Sequence, residues 1–318
     1  MWISRNSRNR RGGALLAVLW LTAALSVIAF SVAATVRSET ERSATLADSI
    51  RARYLAQAGI DRALMHTLSL GYGRQPPPRV RFEFPGGAAI VEIIPETARL
   101  SLNQGKPEEF LRLLAALGAE PERAQEITLA LLDWRGQGVG LDAYYMSLVP
   151  SFRPRHASFQ EVEEALYLKG MTPDLFHGAH TRDGRGRLVR LGAFKDCVSV
   201  FGTSGRFDAN YADPALLRSM GIPPETVDSI VGFRRQRPFM NGGEIGPVAG
   251  QAASLLRLGG NTIFTFRATA RARRGDGRYS DVSRTIAAQI KFRKPDTPPL
   301  VHILRWDENA WSEVSQWQ

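Results

Sequence analysis

The N-terminal stretch RNRRGGALLAVLWLTAALSVIAFSVAATVRSETER constrains the fold of this chain more than any other segment. Four arginines (Arg5, Arg8, Arg10 and Arg11) lead into a run from Gly12 to Val36 that contains no charged residue. A helix of about 20 to 25 apolar residues is long enough to cross a hydrocarbon layer of about 30 Å. The run therefore predicts a membrane-spanning helix, and the arginines before it predict that its N-terminus is cytoplasmic.

The helical pattern continues beyond Val36 and predicts a stem joined to the membrane helix. Apolar residues recur at helical spacing on one side of this stem: Leu46, Ile50, Tyr54, Ile60, Leu64 and Leu68. A cleaved secretory signal has a shorter apolar core and a small-residue cleavage site, which Ser31–Ala33 matches only weakly. A simple signal anchor is a second alternative that this stretch leaves open.

Composition indicates a folded protein with a clustered excess of positive charge. The 318 residues are 44% hydrophobic and 23% charged, which is ordinary for a folded protein. The net charge of +10 makes nucleic acid and anionic lipid candidate partners. Much of the excess lies in the first residues and in RATARARRGDGR (267–278), which we expect to form a solvated edge strand and a hairpin turn. Cys197 is the sole cysteine, which excludes an internal disulfide.

Alternating runs predict strands on both sides of a helical middle region. RVRFEF and AAIVEIIP are separated by PGG and predict a hairpin at 79–95. Two further runs are hinged at RRGDGR, and PLVHILRWDENAW predicts a last strand. On that strand we expect Val301, Ile303 and Arg305 on one face, and His302, Leu304 and Trp306 on the other.

The middle region repeats itself. Three residues of the first copy match three of the second: Arg99, Asn103 and Pro107 with Arg206, Asn210 and Pro214. Pro121-Glu122 and Pro224-Glu225 also match, and each copy predicts a helix, a glycine turn and a second helix.

Helix-hairpin-helix units can grip DNA, so a membrane-anchored DNA-binding or DNA-uptake receptor is a rival hypothesis. That grip needs a Gly-x-Gly-like turn whose N–H groups face a phosphate. The second glycine position holds Glu120 in one copy and Pro223 in the other. A carboxylate repels phosphate and proline has no N–H, so packing modules without a nucleic-acid partner are favoured.

The leader RRGGALLAVLW resembles the signal of type IV pilin-like proteins, which prepilin peptidase cuts on the cytoplasmic side. The resemblance implies cleavage after Gly12, with Gly13 as the mature N-terminus. Most of these proteins carry glutamate at the fifth mature position, where this chain has Ala17. In those proteins the glutamate pairs with a neighbouring subunit. A leader that lacks it resembles the leader of the K-type minor pseudopilins of type II secretion systems (GspK). The motifs LLDWRGQGVGLDAYY and SFQEVEEALYLKGMTPDLF extend this resemblance into the helical region.

The resemblance implies an α+β fold: a pilin-like long N-terminal transmembrane helix packed on a small antiparallel sheet, with an inserted all-α region of two SAM-like units. The implied parts are a leader at 1–12, a membrane helix at 13–36, a stem with the first strands at 37–98, a helical insertion at 99–260 and the last strands at 261–318. The two SAM-like units would cover about 99–180 and about 200–260.

The implied function is structural. A K-type subunit caps the tip of the periplasmic pseudopilus, helps to initiate assembly with the I- and J-type minor pseudopilins, and supports export of folded proteins across the outer membrane. It is a substrate of prepilin peptidase and a single-pass protein of the inner membrane, with most of the chain in the periplasm.

Candidate sites for chemistry are weak. Family members can hold calcium near the Asp-Trp loop, but here only Asp133 and Asp142 are acidic and Arg135 lies between them, so we expect no calcium, no other metal and no cofactor. We expect His177 and His180 to lie on a solvated turn, without a third zinc ligand. Ser204 lacks a nucleophile-elbow frame, and the Gly-rich stretch GGEIGPVAGQ predicts a loop. The remaining histidines are scattered along the sequence: His66, His156 and His302. We therefore expect no enzyme activity.

Overall fold

The computed structural model describes residues 10–310, except residues 72–75, 139, 183–185, 187, 191, 261 and 295. Most of the predicted leader (1–9) and the end of the predicted last strands (311–318) therefore lie outside the described residues. The described α-helices are α1 (Arg10–Ser69), α2 (Pro107–Ala116), α3 (Pro121–Trp134), α4 (Asp142–Met146), α5 (Pro173–His177), α6 (Phe194–Cys197), α7 (Pro214–Ser219), α8 (Pro224–Gln236) and α9 (Ile245–Ala249). The described strands are β1 (Arg79–Phe84), β2 (Gly87–Pro95), β3 (Leu100–Ser101), β4 (His180–Arg182), β5 (Leu188–Arg190), β6 (Val198–Ser199), β7 (Phe207–Asp208), β8 (Leu256–Arg257), β9 (Ile263–Arg273), β10 (Tyr279–Phe292) and β11 (Val301–Asp307). Short 3-10 helices cover Glu96–Ala98, Val162–Tyr167, Gly242–Glu244 and Gly250–Leu255.

Helix α1 joins the apolar run and the stem without a break. Its described part from Gly13 is long and apolar enough to cross a membrane, and its most apolar window has none of its residues buried. This exposure fits a single-pass membrane anchor, because a bilayer would cover the surface that the rest of the chain leaves bare.

A five-stranded sheet in the order β1-β2-β9-β10-β11 packs against the second half of α1. All neighbouring strands in it are antiparallel. The prediction that the arginine-rich run forms an edge strand is wrong, because β9 is the central strand. The chain leaves the sheet after β2 and returns between β2 and β10, so both backbone edges of β9 are paired.

Small side chains on α1 make its contact with the sheet. Ala52, Ala56 and Ala63 are fully buried there, and a Cβ atom added to Gly59 would lie 2.8 Å from the Cβ of Ala89. The helix therefore lies close to the sheet backbone, as small residues at a contact permit.

The apolar stripe predicted for the stem is divided between two environments. Of its members, Ile60 is buried, and Leu64 and Leu68 are partly buried. The three residues nearest the membrane helix are exposed: Leu46 (58%), Ile50 (55%) and Tyr54 (65%). Their exposure follows from the geometry of the contact, since the sheet packs on the alanine side of the helix.

The predicted assignment of residues to the two faces of β11 is wrong. A bulge shifts its register against β10, so that Ile290 pairs with Ile303 but Gln289 pairs with Arg305. Val301 and Trp306 consequently pack against the core between α1 and the sheet, whereas Arg305 points away from Trp306. One extra residue in a strand reverses the alternation beyond it.

The insertion between β2 and β9 has its own core, which includes Phe110, Leu131, Phe194 and Leu217. It is not all-α as predicted, since its described residues form three short two-stranded sheets, β3-β6, β4-β5 and β7-β8. The Gly-rich stretch at 242–251 is also helical rather than a loop, because it includes the 3-10 helix Gly242–Glu244, all of α9 and the start of the 3-10 helix Gly250–Leu255.

The two matching sequence segments fold into corresponding elements. Gly118 between α2 and α3 and Gly221 between α7 and α8 both have left-handed backbones, with φ of 87° and 82°. Asn103 accepts a hydrogen bond from the N–H of Phe159 at 2.7 Å and donates to its carbonyl at 3.0 Å. Asn210 makes the same two bonds with Phe239, at 2.8 and 3.0 Å. The internal repeat is therefore a repeat of structure as well as of sequence.

Contacts along α1 show in which direction the strands run relative to this helix. Leu55 lies beside Gly87 at the start of β2, and Gly59 lies beside Ala89 two residues later. Strand β2 therefore advances toward the C-terminal end of α1, and the insertion leaves the sheet at that end. The β9–β10 turn lies at the opposite end, next to Asp48.

Candidate interaction surface and leader site

The side of α1 that faces away from the sheet presents an apolar surface that is exposed among the described residues. Leu46, Ile50 and Tyr54 follow one another at four-residue spacing, and Met65 (66% exposed) continues the same side. We call these four residues the stem stripe. An exposed apolar stripe at this spacing has the chemistry of a surface that packs against another helix.

Polar contacts hold the stem in place beneath this stripe. The buried Asp48 carboxylate accepts hydrogen bonds from Ser280 Oγ at 2.7 Å and Arg274 Nε at 3.2 Å. The Ser280 hydroxyl, followed by Arg274, lowers the pKa of Asp48. On another side of the helix, Arg53 pairs with Glu308 at 2.6 Å, just beyond β11. The stem stripe is therefore displayed from a helix that is fixed to the sheet.

The insertion is attached to the sheet through a buried carboxylate. Glu96 is fully buried just after β2, and its Oε1 accepts from Thr265 Oγ1 of β9 at 2.6 Å and from Arg99 at 3.4 Å. The hydroxyl of Ser199, in β6 of the insertion, donates to its other oxygen. One side chain thereby joins the sheet and the insertion, because a buried carboxylate requires several donors.

A surface ion pair gives a second attachment. Arg305 of β11 contacts Glu161 at 2.8 Å and Glu163 at 3.2 Å. With Glu96, this contact fixes the insertion at the end of the domain farthest from the apolar half of α1.

The predicted cleavage residues lie at the start of α1. Gly12 and Gly13 belong to its first turn, and Ala17 follows one turn later. Gly13 and Ala17 are exposed. Cleavage between the two glycines stays a prediction.

The predicted calcium candidates come together with a histidine that the sequence did not associate with them. His156 Nε2 lies 2.7 Å from Asp142 Oδ1, and its Nδ1 lies 3.0 Å from the Asp133 carbonyl oxygen. The Asp133 carbonyl and then the Asp142 carboxylate raise the pKa of His156. The Asp133 side chain accepts from the N–H of Gly140 at 2.9 Å. The three residues could each offer one ligand atom within 4.8 Å of one another.

This donor set does not fit calcium. A calcium ion takes six to eight oxygen ligands, and here one of the three side chains offers nitrogen. His156 also holds the carboxylate that the ion would need. The absence of calcium therefore stays our prediction, although the reason changes. Arg135 does not exclude calcium by placing its charge in the loop between Asp133 and Asp142. Its guanidinium instead donates to the carbonyls of Leu102, Asn103 and Gly105.

Other residues considered for chemistry have structural surroundings. His177 lies at the end of α5 beside Lys195, 3.3 Å away, and His180 begins β4 rather than lying on a turn. Ser204 donates to Glu109 of α2 at 2.7 Å. Glu120 and Pro223 directly precede α3 and α8, as the repeat predicts.

Comparisons with known proteins support the resemblance inferred from the sequence. Residues 95–179 match a family described as type II secretion system (T2SS), protein K. The chain is 27% identical over 201 residues to a type II secretion system protein K from Klebsiella pneumoniae. That match covers 54% of this chain and 61% of the relative, so it spans less than two thirds of the relative's length.

The fold is also similar to that of a chain in a solved structure. A chain in the crystal structure of the GspK-GspI-GspJ complex from enterotoxigenic Escherichia coli matches with a TM-score of 0.50 and 17% identity. The match covers 87% of this chain and 99% of the other. The predicted resemblance to the type II secretion K proteins is confirmed, as is the α+β fold.

Proposed function

We propose that this chain, which resembles the type II secretion K proteins, is a minor pseudopilin at the tip of a type II secretion pseudopilus. There it would help to start assembly of the fibre that supports export of folded proteins across the outer membrane. The match to protein K over residues 95–179 supports this role, because all but the first of those residues lie in the insertion, after the end of β2.

The position of the insertion carries the proposal. It leaves the sheet at the end of α1 that lies away from the apolar segment, and Glu96 and Arg305 hold it there. In a fibre whose subunits stack along their long helices, a bulky domain at that end occupies the space of a subunit above. A subunit of this shape fits only at the tip.

Ala17 supports the same position. A carboxylate at membrane depth is tolerated when it is paired, and in pilin-like proteins its partner is a neighbouring subunit. A tip subunit has no neighbour ahead of it and needs no such carboxylate. The two insertion units would serve as SAM-like packing modules.

The proposed partners are I- and J-type minor pseudopilins, which the matched E. coli structure contains beside its GspK chain. They would pack on the stem stripe of α1. The chain would cross the inner membrane once, with a cytoplasmic N-terminus and a periplasmic domain, after prepilin peptidase has removed the leader.

Co-purification from membranes tests the proposed interface. Replacement of Leu46, Ile50 and Tyr54 by serine should reduce recovery of the I- and J-type partners at least tenfold, because it removes apolar surface without touching the sheet. The matched control replaces three exposed apolar residues of the insertion by serine: Leu129, Met146 and Met240. Equal recovery with both triple variants would exclude the stem stripe as the interface.

The comparisons give no support to the alternative of a membrane-anchored DNA receptor. A mobility-shift measurement at moderate salt should show no retained DNA. Tight binding under those conditions would contradict the structural role.

A further inference from the structure

The β9–β10 hairpin concentrates positive charge at the end of the domain that faces the apolar half of α1. Residues 271–284 contain five arginines and two aspartates, so their net charge is 5 − 2 = +3. The insertion contains 19 Lys and Arg and 18 Asp and Glu over residues 99–260, so its net charge is 19 − 18 = +1. This short hairpin therefore carries a larger net charge than the whole insertion.

The contacts of Asp48 determine where this hairpin lies along α1. Arg274 and Ser280, on the two sides of the turn, both bond to Asp48, and Arg284 Nε donates to Ser49 Oγ at 2.7 Å. Asp48 is twelve positions beyond Val36, where the uncharged run ends. Twelve residues correspond to about 18 Å of helix.

We propose that the hairpin tip, residues 271–284, binds the anionic phospholipid headgroups of the membrane that α1 crosses. This inference rests on the proposed function, since it requires that the uncharged run spans the bilayer. Headgroups extend about 5–8 Å beyond the hydrocarbon core, and charges act over about another 8 Å at physiological salt. A helix tilted by about 20°, the average for membrane helices, brings one side of the domain several ångströms closer to the bilayer.

The exposure of the arginines suits a headgroup surface. Arg278 is exposed at the turn, and Arg273 and Arg274 are exposed as well, although they pair with Glu83 at 3.0 Å and with Asp48 at 3.2 Å. Guanidinium groups bind phosphate through two parallel hydrogen bonds, so Arg278 is the principal candidate for a headgroup contact. An acidic protein partner is the other class of ligand for such a surface. Lipid is favoured because the anchor places every inserted copy of the chain with this tip toward the bilayer, whether or not another subunit is present.

A fluorescent label at Gly275 reports the approach of the tip to the membrane. A Cβ added there would have no described atom within 4 Å beyond its chain neighbours, so Gly275→Cys is sterically tolerated. The native Cys197 is buried, and burial raises its pKa, so it should not react with the label. The labelled full chain is reconstituted in vesicles that carry a headgroup quencher and consist of phosphatidylcholine alone or of an equal mixture with phosphatidylglycerol.

Quenching should be about twofold or more stronger in the phosphatidylglycerol mixture and should weaken at high salt. Arg278→Glu with Arg284→Glu should abolish the difference between the two lipids. Arg278→Glu alone should reduce it, and it serves as the milder variant because the Arg278 backbone, rather than its side chain, makes the turn contacts. The matched control changes the same charge on exposed insertion residues, Arg218→Glu with Arg235→Glu, and should leave quenching unchanged.

Equal quenching in both lipids, or an equal effect of tip and control variants, would overturn the inference. So would a label that is shielded only after I- and J-type partners are added, which would assign the tip to a protein ligand. Alkaline extraction distinguishes a failure of the lipid contact from a failure of the membrane anchor. A chain that stays in the vesicles without tip quenching contradicts the lipid contact alone, whereas a chain that is extracted contradicts the membrane anchor and the proposed function with it.

Discussion

Arg135 and Arg234 donate to corresponding backbone carbonyls in the two helical units, although Arg234 stands about one helical turn earlier in its copy of the repeat than Arg135. Near the end of the second helix of each unit, the guanidinium donates through Nη1 to backbone carbonyls of the loop before the first helix. The accepting residues and distances are Leu102 (3.2 Å), Asn103 (3.1 Å) and Gly105 (3.0 Å) for Arg135, and Ala209 (3.2 Å) and Ala212 (2.7 Å) for Arg234. Each arginine thus closes its unit by satisfying carbonyls that would otherwise lack donors.

Replacement of either arginine by methionine should destabilise the folded chain. Hydrogen bonds from a charged donor contribute about 1.5–3 kcal/mol, and the carbonyls would be left without their donor. We expect a loss of about 2–3 kcal/mol for Arg135→Met and a smaller loss for Arg234→Met, which has fewer acceptors. Urea unfolding followed by circular dichroism measures both. Arg218→Met, on the surface of α7, should leave the free energy of unfolding unchanged, and equal losses at all three positions would contradict this account.

Gly59→Leu should disrupt the packing of α1 on the sheet. A Cβ at this position would lie 2.8 Å from Ala89 Cβ and 3.3 Å from Val91 Cγ2, so the helix must move away from β2. Overpacking of this kind costs about 1–3 kcal/mol, which thermal unfolding would show as a lower Tm. Gln57→Leu places the same leucine side chain on the exposed side of the helix, where it meets no strand, and should preserve the Tm. An unchanged Tm for Gly59→Leu would mean that the contact is looser than the structure shows.

His156 should respond to pH in the direction set by its two acceptors. The Asp133 carbonyl and the Asp142 carboxylate raise the pKa of its imidazole above the ordinary value. Its contribution to stability is therefore complete below the unfolded pKa of about 6.5 and is lost as pH rises through the folded pKa. Partial exposure of the pair keeps this contribution small. NMR titration should give a higher midpoint in the native chain than in Asp142→Asn, and identical midpoints would rule out the carboxylate as a cause.

Cleavage by a prepilin peptidase should produce a chain that begins at Gly13. N-terminal sequencing after co-expression with the peptidase measures the new terminus directly. Gly12→Leu should block cleavage, whereas Ala33→Leu, at the alternative small-residue site, should not change the product. An intact Met1, or a terminus near Ala33, would instead indicate a simple anchor or a secretory signal.

Consecutive residues were enough to predict the main parts of this protein. The uncharged run to Val36 predicts the membrane helix, and the match of Asn103 with Asn210 predicts the internal repeat. The resemblance of the leader and the helical motifs to K-type proteins implied the α+β fold. The uncharged run and the motifs are local features, since hydrophobic period, turn residues and spacing are set by neighbours along the chain.

Long-range packing decided the rest. The alanine side of α1 faces the sheet although larger apolar residues lie on the other side, because Gly59 allows the closest approach. The bulge near Ile303 reverses the faces of β11, and His156 joins Asp142 only after the chain has turned back. Such outcomes depend on the strand or loop that each residue meets, and that partner stands many positions away. The sequence alone determined the anchor, the repeat and the fold class, whereas the tertiary structure decided which surfaces remain free for partners.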